Sequence, residues 1–218
     1  MARDALLDGQ PRPGIWPKRA AVVALYTAPP VGATTLCVDE LGPLIPRTYP
    51  PPSAWSRDGH RIKAALDYGR GPEKVWVYGA LRIRDGRAVT LTASSRNTVG
   101  YLRLLEAVAR ANPVGDLYLI GDNLSSHKSP PIMAWLEDHP RVHQVFIPVG
   151  ACWLNLQEAW WRLFRREAVA GQSFVDADEI DHATRVGTAQ LNRRATPWVW
   201  NRPPSPARYR RRAFDYRL

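Results

Sequence analysis

Apolar and polar positions change their spacing several times along this chain, and each change marks an element. Residues 19–26 are mostly apolar and stop at Pro29-Pro30, which predicts a short helix. Residues 34–41, TTLCVDEL, are β-branched and apolar, as expected of a buried strand. Pro43, Pro46, Pro50, Pro51 and Pro52 crowd into residues 42–71, which are predicted to be irregular. Alternation over 75–83 predicts a second strand, Asp85-Gly86 a hairpin turn, and 88–93 its antiparallel partner. Helical spacing then takes over at 98–111, with Tyr101, Leu104, Leu105 and Val108 inward and Arg103, Glu106 and Arg110 outward, until Asn112-Pro113. Residues 116–121 form a buried strand ending on Asp122-Asn123. A helix at 130–137, a strand at 142–149 and a helix at 177–192 complete the pattern.

Between the last strand and the last helix lies residues 149–166, VGACWLNLQEAWWRLFRR. Leu156, Ala159, Trp160, Leu163 and Phe164 recur at helical spacing and predict a buried stripe, with Glu158, Arg162 and Arg165 on a more polar face. Trp153, Trp160 and Trp161 are expected in the core, and Cys37 and Cys152 in apolar surroundings. Three antiparallel strands followed by alternating helices and strands make an α/β chain with a mixed sheet and helices on both faces. Sites in such sheets form at the carboxyl ends of strands, where this reading puts both Asp39 and Asp122.

Composition narrows the picture. The 218 residues suffice for one substantial domain. No run approaches the ~18 apolar residues of a membrane span, and the first residues carry no signal-peptide pattern. Two cysteines make neither a disulfide framework nor a zinc site, which points to the reducing cytoplasm. The net charge is +10, and residues 193–218 hold eight Arg against one Asp, with Arg210, Arg211 and Arg212 consecutive. A basic tail interrupted by Pro and aromatics is the footprint of nucleic-acid binding, or a solvated segment that keeps the chain in solution. The expected organisation is a lead-in at 1–30, a catalytic unit at 31–193 and a basic tail at 194–218.

Each acid alone reads as structural. Asp39 fits a turn, Asp122-Asn123 an Asx-turn, and Asn155 with Glu158 the spacing of a capping box. Together, two acids ending neighbouring strands and a third opening a helix on the same sheet can meet at one edge. Three anions there repel one another, and a divalent cation relieves the repulsion. Oxygen ligands select Mg²⁺ or Mn²⁺, and two such ions about 3.5–4 Å apart serve phosphoryl displacement. Glu40 adjoins Asp39 but points to the opposite face of the strand, so it is not counted as a ligand. His127 is expected as a hydrogen-bonded structural residue, Asn123 as a partner that orients Asp122 or a water, and Asn155 as a helix cap.

The wording around these acids resembles the DDE transposases, most closely the bacterial insertion sequence 630 family of the mariner-like superfamily. The resemblance is carried by LY-x-x-PP at 25–30, V-D-E at 38–40, DY-x-R at 67–70, DN-x-x-x-H at 122–127, WLN-x-x-E-x-W at 153–160 and P-x-x-W at 197–200, in the family's order. Asp122 and Glu158 stand 36 positions apart, within the family's range. The resemblance implies an RNase H-like fold and Mg²⁺- or Mn²⁺-dependent cleavage of double-stranded DNA at transposon ends, followed by strand transfer into a target. It implies Asp39, Asp122 and Glu158 as catalytic, metal-holding residues; DNA contact by Arg210, Arg211 and Arg212 is expected from the charge of the tail instead. The resemblance further implies a homodimer, or pairing with a chain that bears helix-turn-helix modules, and a place in the bacterial cytoplasm on the nucleoid. Family members carry N-terminal helix-turn-helix modules, and residues 1–18 are not expected to form one. The expectation is therefore a catalytic domain, with an inactive remnant that binds DNA or interferes with a full-length transposase as the alternative.

Overall fold

The computed structural model describes residues 15–48, 54–62 and 69–200. Its centre is a five-stranded sheet of β1 (Thr34–Leu44), β6 (Val75–Arg82), β7 (Ala88–Ala93), β8 (Leu117–Gly121) and β9 (Val142–Phe146), ordered β7-β6-β1-β8-β9. β1, β6 and β7 are antiparallel, and β8 and β9 join β1 in parallel. The parallel half is connected through α2 (Thr98–Ala111) and α3 (Pro130–Asp138), as such crossovers require. Asn97 caps α2 by accepting from the Gly100 amide.

The two faces of the sheet carry separate cores, because successive side chains of β1 alternate. Leu36 and Val38 pack with Tyr78, Leu104, Leu105, Leu119 and Ile132 under α2 and α3. Cys37 and Leu41 pack with Val77, Ile120, Trp160, Trp161 and Phe164, beneath α1 (Ile15–Thr27) and α4 (Gln157–Phe164). A π-helical turn, Arg165–Val169, continues α4, and α5 (Ala177–Arg193) closes the chain's packing against β7. Hydrogen bonds of Thr90 to Thr188 and of Asn192 to the Ala88 backbone fasten α5 there.

Several expectations are corrected. α1 begins at Ile15 and is part of the core: Val22 is buried, and the Tyr26 hydroxyl meets Cys37 Sγ at 3.0 Å and donates to the Leu154 carbonyl at 2.7 Å. The segment read as a lead-in therefore supports the turn that precedes α4. β1 runs on to Leu44, so Asp39 lies inside the strand rather than at its end; what ends near it is the pairing with β8, which stops at Cys37–Ile120. Residues 42–71 are not wholly irregular, since β2 (Arg47–Thr48) pairs with β5 (Gly69–Arg70) and β3 (Ala54–Trp55) with β4 (Arg61–Ile62). Two-residue pairs leave no periodicity to read. β9 ends at Phe146, earlier than expected. Cys152 and Trp153 are exposed; Trp153 lies under the Arg19 guanidinium at 5.1 Å and beside Trp200. Asp67, Tyr68, Arg210, Arg211 and Arg212 lie outside the described residues. Among the described residues no helix is long and apolar enough to cross a membrane.

Candidate active site

The site grows from the edge where β1 and β8 part. Pairing to β8 ends at Cys37, so the Val38 carbonyl has no strand partner on that side and accepts instead from Asn155 Nδ2 at 2.9 Å. Asn155 Oδ1 in turn accepts from the Gln157 amide at 3.1 Å. This buried side chain thereby ties the first turn of α4, with Glu158 in it, to the residue before Asp39. The reciprocal capping box does not form, because the Asn155 amide donates to the Cys152 carbonyl. Asn155 stands one residue before Leu156, the N-cap of α4, and serves as a clamp between helix and strand rather than as the expected cap.

Asp39 points to the face covered by α4, where Trp161 Nε1 donates to its Oδ2 at 3.2 Å. Burial, then the Glu158 charge, raise the Asp39 carboxyl to about 7; the Glu40 and Asp122 charges push the same way. Asp39 pairs across the sheet with Gly79, which leaves room for the helix. A Cβ at Gly79 would lie 2.5 Å from the Trp161 ring and 2.7 Å from Gln157 Nε2. That contact explains why the buried stripe of α4 is rotated from the expected one: Gln157, Trp160, Trp161 and Phe164 go in, and Leu163 stays exposed. Gly79→Ala should therefore displace Trp161 and Gln157 and cost about 1–3 kcal/mol in urea unfolding; wild-type stability would count against this packing.

Asp122 follows β8 and is half-exposed. Its Oδ1 accepts from the Leu124 amide at 3.3 Å and lies 3.1 Å from His127 Nδ1. The hydrogen bond and charge of His127 hold the Asp122 carboxyl below the usual carboxylate range against burial, with a smaller contribution from Arg96. Arg96 sits over the Trp76 ring at 4.9 Å, and Lys128 over Phe146 at 4.9 Å. Asn123 is exposed. Glu40 points away from Asp39, as strand alternation requires, and its Oε1 meets His127 Nε2 at 2.9 Å. The Glu40–His127 pairing escaped the sequence reading. Its only signal there was an acid and a histidine that each looked surplus.

Asp122 and Glu158 thus lie near enough to Asp39 for their charges to act on its carboxyl. Among the described residues no three His, Cys, Asp or Glu side chains are placed so that they could together hold a metal ion. The chemistry of the donors nonetheless fits a divalent cation. The donors are hard carboxylates under mutual repulsion, and beside them the buried Gln157 amide has both polar atoms without a partner, capacity that a hydrated ion can use.

Residues 34–181 match the DDE superfamily endonuclease family. The chain belongs to that family. It is 29% identical over 91 residues to an insertion element IS630 uncharacterized 39 kDa protein of Shigella sonnei, a match covering 41% of this chain and 26% of that protein. Among solved structures, the Mos1 transposase in a paired-end complex with the left transposon end superposes with a TM-score of 0.52 at 13% identity, over 89% of this chain and 64% of that one. The catalytic core domain of BIV integrase gives 0.46 at 12% identity, over 72% and 82%. The Mos1 likeness establishes the sheet and its flanking helices as an RNase H-like fold.

Proposed function

We propose that this chain is the catalytic core of an insertion-sequence transposase that cleaves double-stranded DNA and transfers the freed strand to a target. The reading is supported above all by the carboxylates: Asp39, on β1, is raised to about 7 largely by burial and the Glu158 charge, in the position where a cation would be held. Asp39, Asp122 and Glu158 would hold Mg²⁺ or Mn²⁺, two ions by the chemistry of in-line displacement. Bound there, the ions supply charge neutralisation at the attacking and leaving oxygens of the phosphodiester. The protein's own part is to fix the donors. Trp161 holds one oxygen of Asp39, His127 and the Leu124 amide hold one oxygen of Asp122, and Asn155 sets the first turn of α4 against β1. Arg96 and Lys128, steadied on aromatic rings, offer positive charge to the DNA backbone near this edge, and Arg210, Arg211 and Arg212 extend it. DNA affinity should fall steeply with salt. A homodimer, or pairing with a helix-turn-helix chain, supplies recognition of the transposon ends, and the protein works on the bacterial nucleoid.

Calorimetry with MnCl₂ or MgCl₂ on the wild type and on Asp122→Ala is the direct test, with cleavage of a labelled duplex beside it. Ion binding that the substitution abolishes, together with metal-dependent cleavage, is the expected result. A wild type that binds no divalent ion, even with DNA present, would overturn the catalytic reading and leave the inert DNA-binding remnant.

A further inference from the structure

The second acid of the V-D-E strand faces away from the ions proposed above, yet it is among the most deeply buried charges in the described chain. The Glu40 side chain is 1% exposed and that of His127 is 0% exposed. Burying such a pair is costly, and well-packed apolar residues of similar size often serve a core better. Here the cost is raised further, because Glu40 Oε2 is buried with no hydrogen-bond partner. Packing under α2 gives no reason for it. The reason lies at the other nitrogen of the ring.

His127 Nε2 meets Glu40 Oε1 at 2.9 Å, and Nδ1 stands 3.1 Å from Asp122 Oδ1 and 3.3 Å from the Asp122 carbonyl. The imidazole is also stacked on Tyr101, with centroids 3.8 Å apart and planes at 24°. Tyr101 itself is buried and accepts from Gln144. The ring therefore has no freedom to turn. It spans the gap between a strand interior and a half-exposed loop carboxylate. Asp122 is a short side chain on a loop that follows a strand end, and among the described residues its other hydrogen-bond partner is one backbone amide, that of Leu124.

We propose that Glu40 and His127 form a positioning pair: the buried Glu40 carboxylate fixes the imidazole, and the imidazole fixes Asp122 by engaging its Oδ1, so that Oδ2 would be the oxygen left to a cation. The proposal rests on the reading of Asp122 as a metal-holding residue. Neither Glu40 nor His127 touches substrate or ion; both act through Asp122. Partners of this kind commonly govern metal affinity by about 10–100-fold.

The test has two parts, each on the full chain. Nitrogen-15 NMR of the histidine ring, without metal, reads the strut itself. His127 should show two slowly exchanging ring N–H signals. Glu40→Gln should move mainly the Nε2 signal and Asp122→Asn mainly the Nδ1 signal. A His127 ring with one rapidly exchanging N–H, indifferent to both substitutions, overturns the strut. Mn²⁺ calorimetry then reads its consequence. Glu40→Gln should weaken Mn²⁺ binding at least tenfold. Asn192→Ala, which breaks the fastening of α5 to Ala88 on another part of the sheet, should leave the affinity unchanged at a comparable loss of thermal stability. Equal Mn²⁺ affinity in Glu40→Gln and wild type overturns the positioning role. So does loss of affinity in both variants in proportion to stability, since that marks a general structural effect. A wild type that binds no Mn²⁺ removes the metal-holding reading of Asp122 and the positioning role with it, while the ring signals still decide whether the strut exists.

Discussion

Asp39→Asn is expected to make the metal-free protein more stable at pH 8 while ending cleavage. The carboxyl of Asp39 is raised from its usual value of 3.8 to about 7 by burial and by the charges of Glu158, Glu40 and Asp122. A carboxyl raised on folding binds its proton more tightly in the native state than in the unfolded one. Its contribution is therefore most favourable in acid, and stability is lost as pH rises from about 4 through about 7. At pH 8 the full penalty is present, an upper bound of about 4 kcal/mol from the size of the shift. Asparagine has the same shape, keeps an oxygen for Trp161 Nε1, and carries no charge, so it removes the penalty. The gain should shrink toward pH 5 and vanish below about pH 4, because there the aspartic acid is neutral too. Urea unfolding in EDTA at pH 8 and pH 5 measures both. In the wild type, Mg²⁺ should raise the midpoint at pH 8 and much less at pH 5; in the variant it should do neither. A variant less stable than wild type at pH 8 would show that Asp39 is held by favourable contacts rather than under repulsion.

Such a trade between stability and chemistry was only partly legible in the sequence. The helix at 98–111 could be read because Tyr101, Leu104, Leu105 and Val108 repeat at a helical period, and the β6–β7 hairpin because alternation flanks Asp85-Gly86. Asp39, Asp122 and Glu158 are picked out in the sequence by their wording and by expected strand ends; Asp39 lies inside β1 instead, and what links the three in the structure is the action of the Glu158 and Asp122 charges on Asp39. What the sequence hid depends on register. The α4 face that goes inward is decided by Gly79, nearly eighty positions earlier, because its missing side chain admits Trp161 and Gln157. No periodicity within α4 distinguishes Trp161 from Leu163, since both are apolar. The parting of β1 from β8 at Cys37, which leaves the Val38 carbonyl to Asn155, is a property of two strands together. The partner of Glu40 lies 87 positions away, and alternation predicts only the face, not what waits there.

His127→Ala should be the most damaging single substitution for the fold. Removing the imidazole leaves Glu40 with a buried carboxylate and no partner, a situation that costs about 3–5 kcal/mol when one member of a buried pair is deleted. A cavity against Tyr101 adds to the loss. The effect has a defined pH window. The His127 ring is raised from 6.5 to about 9, because its bonds to Asp122 and Glu40 outweigh burial. A base raised on folding stabilises fully below its unfolded value, and the stabilisation disappears as pH climbs through the folded one. The gap between wild type and variant should hence be widest near pH 6 and narrow between about pH 7 and 10. In the His127→Ala background, Glu40→Gln should restore part of the stability by removing the stranded charge, although Glu40→Gln alone destabilises the wild type. That reversal of sign in a double-mutant cycle, read by urea unfolding at pH 6, is the signature of a coupled buried pair. Simple additivity of the two substitutions would mean that His127 stabilises the core by packing alone, and that Glu40 finds its compensation elsewhere.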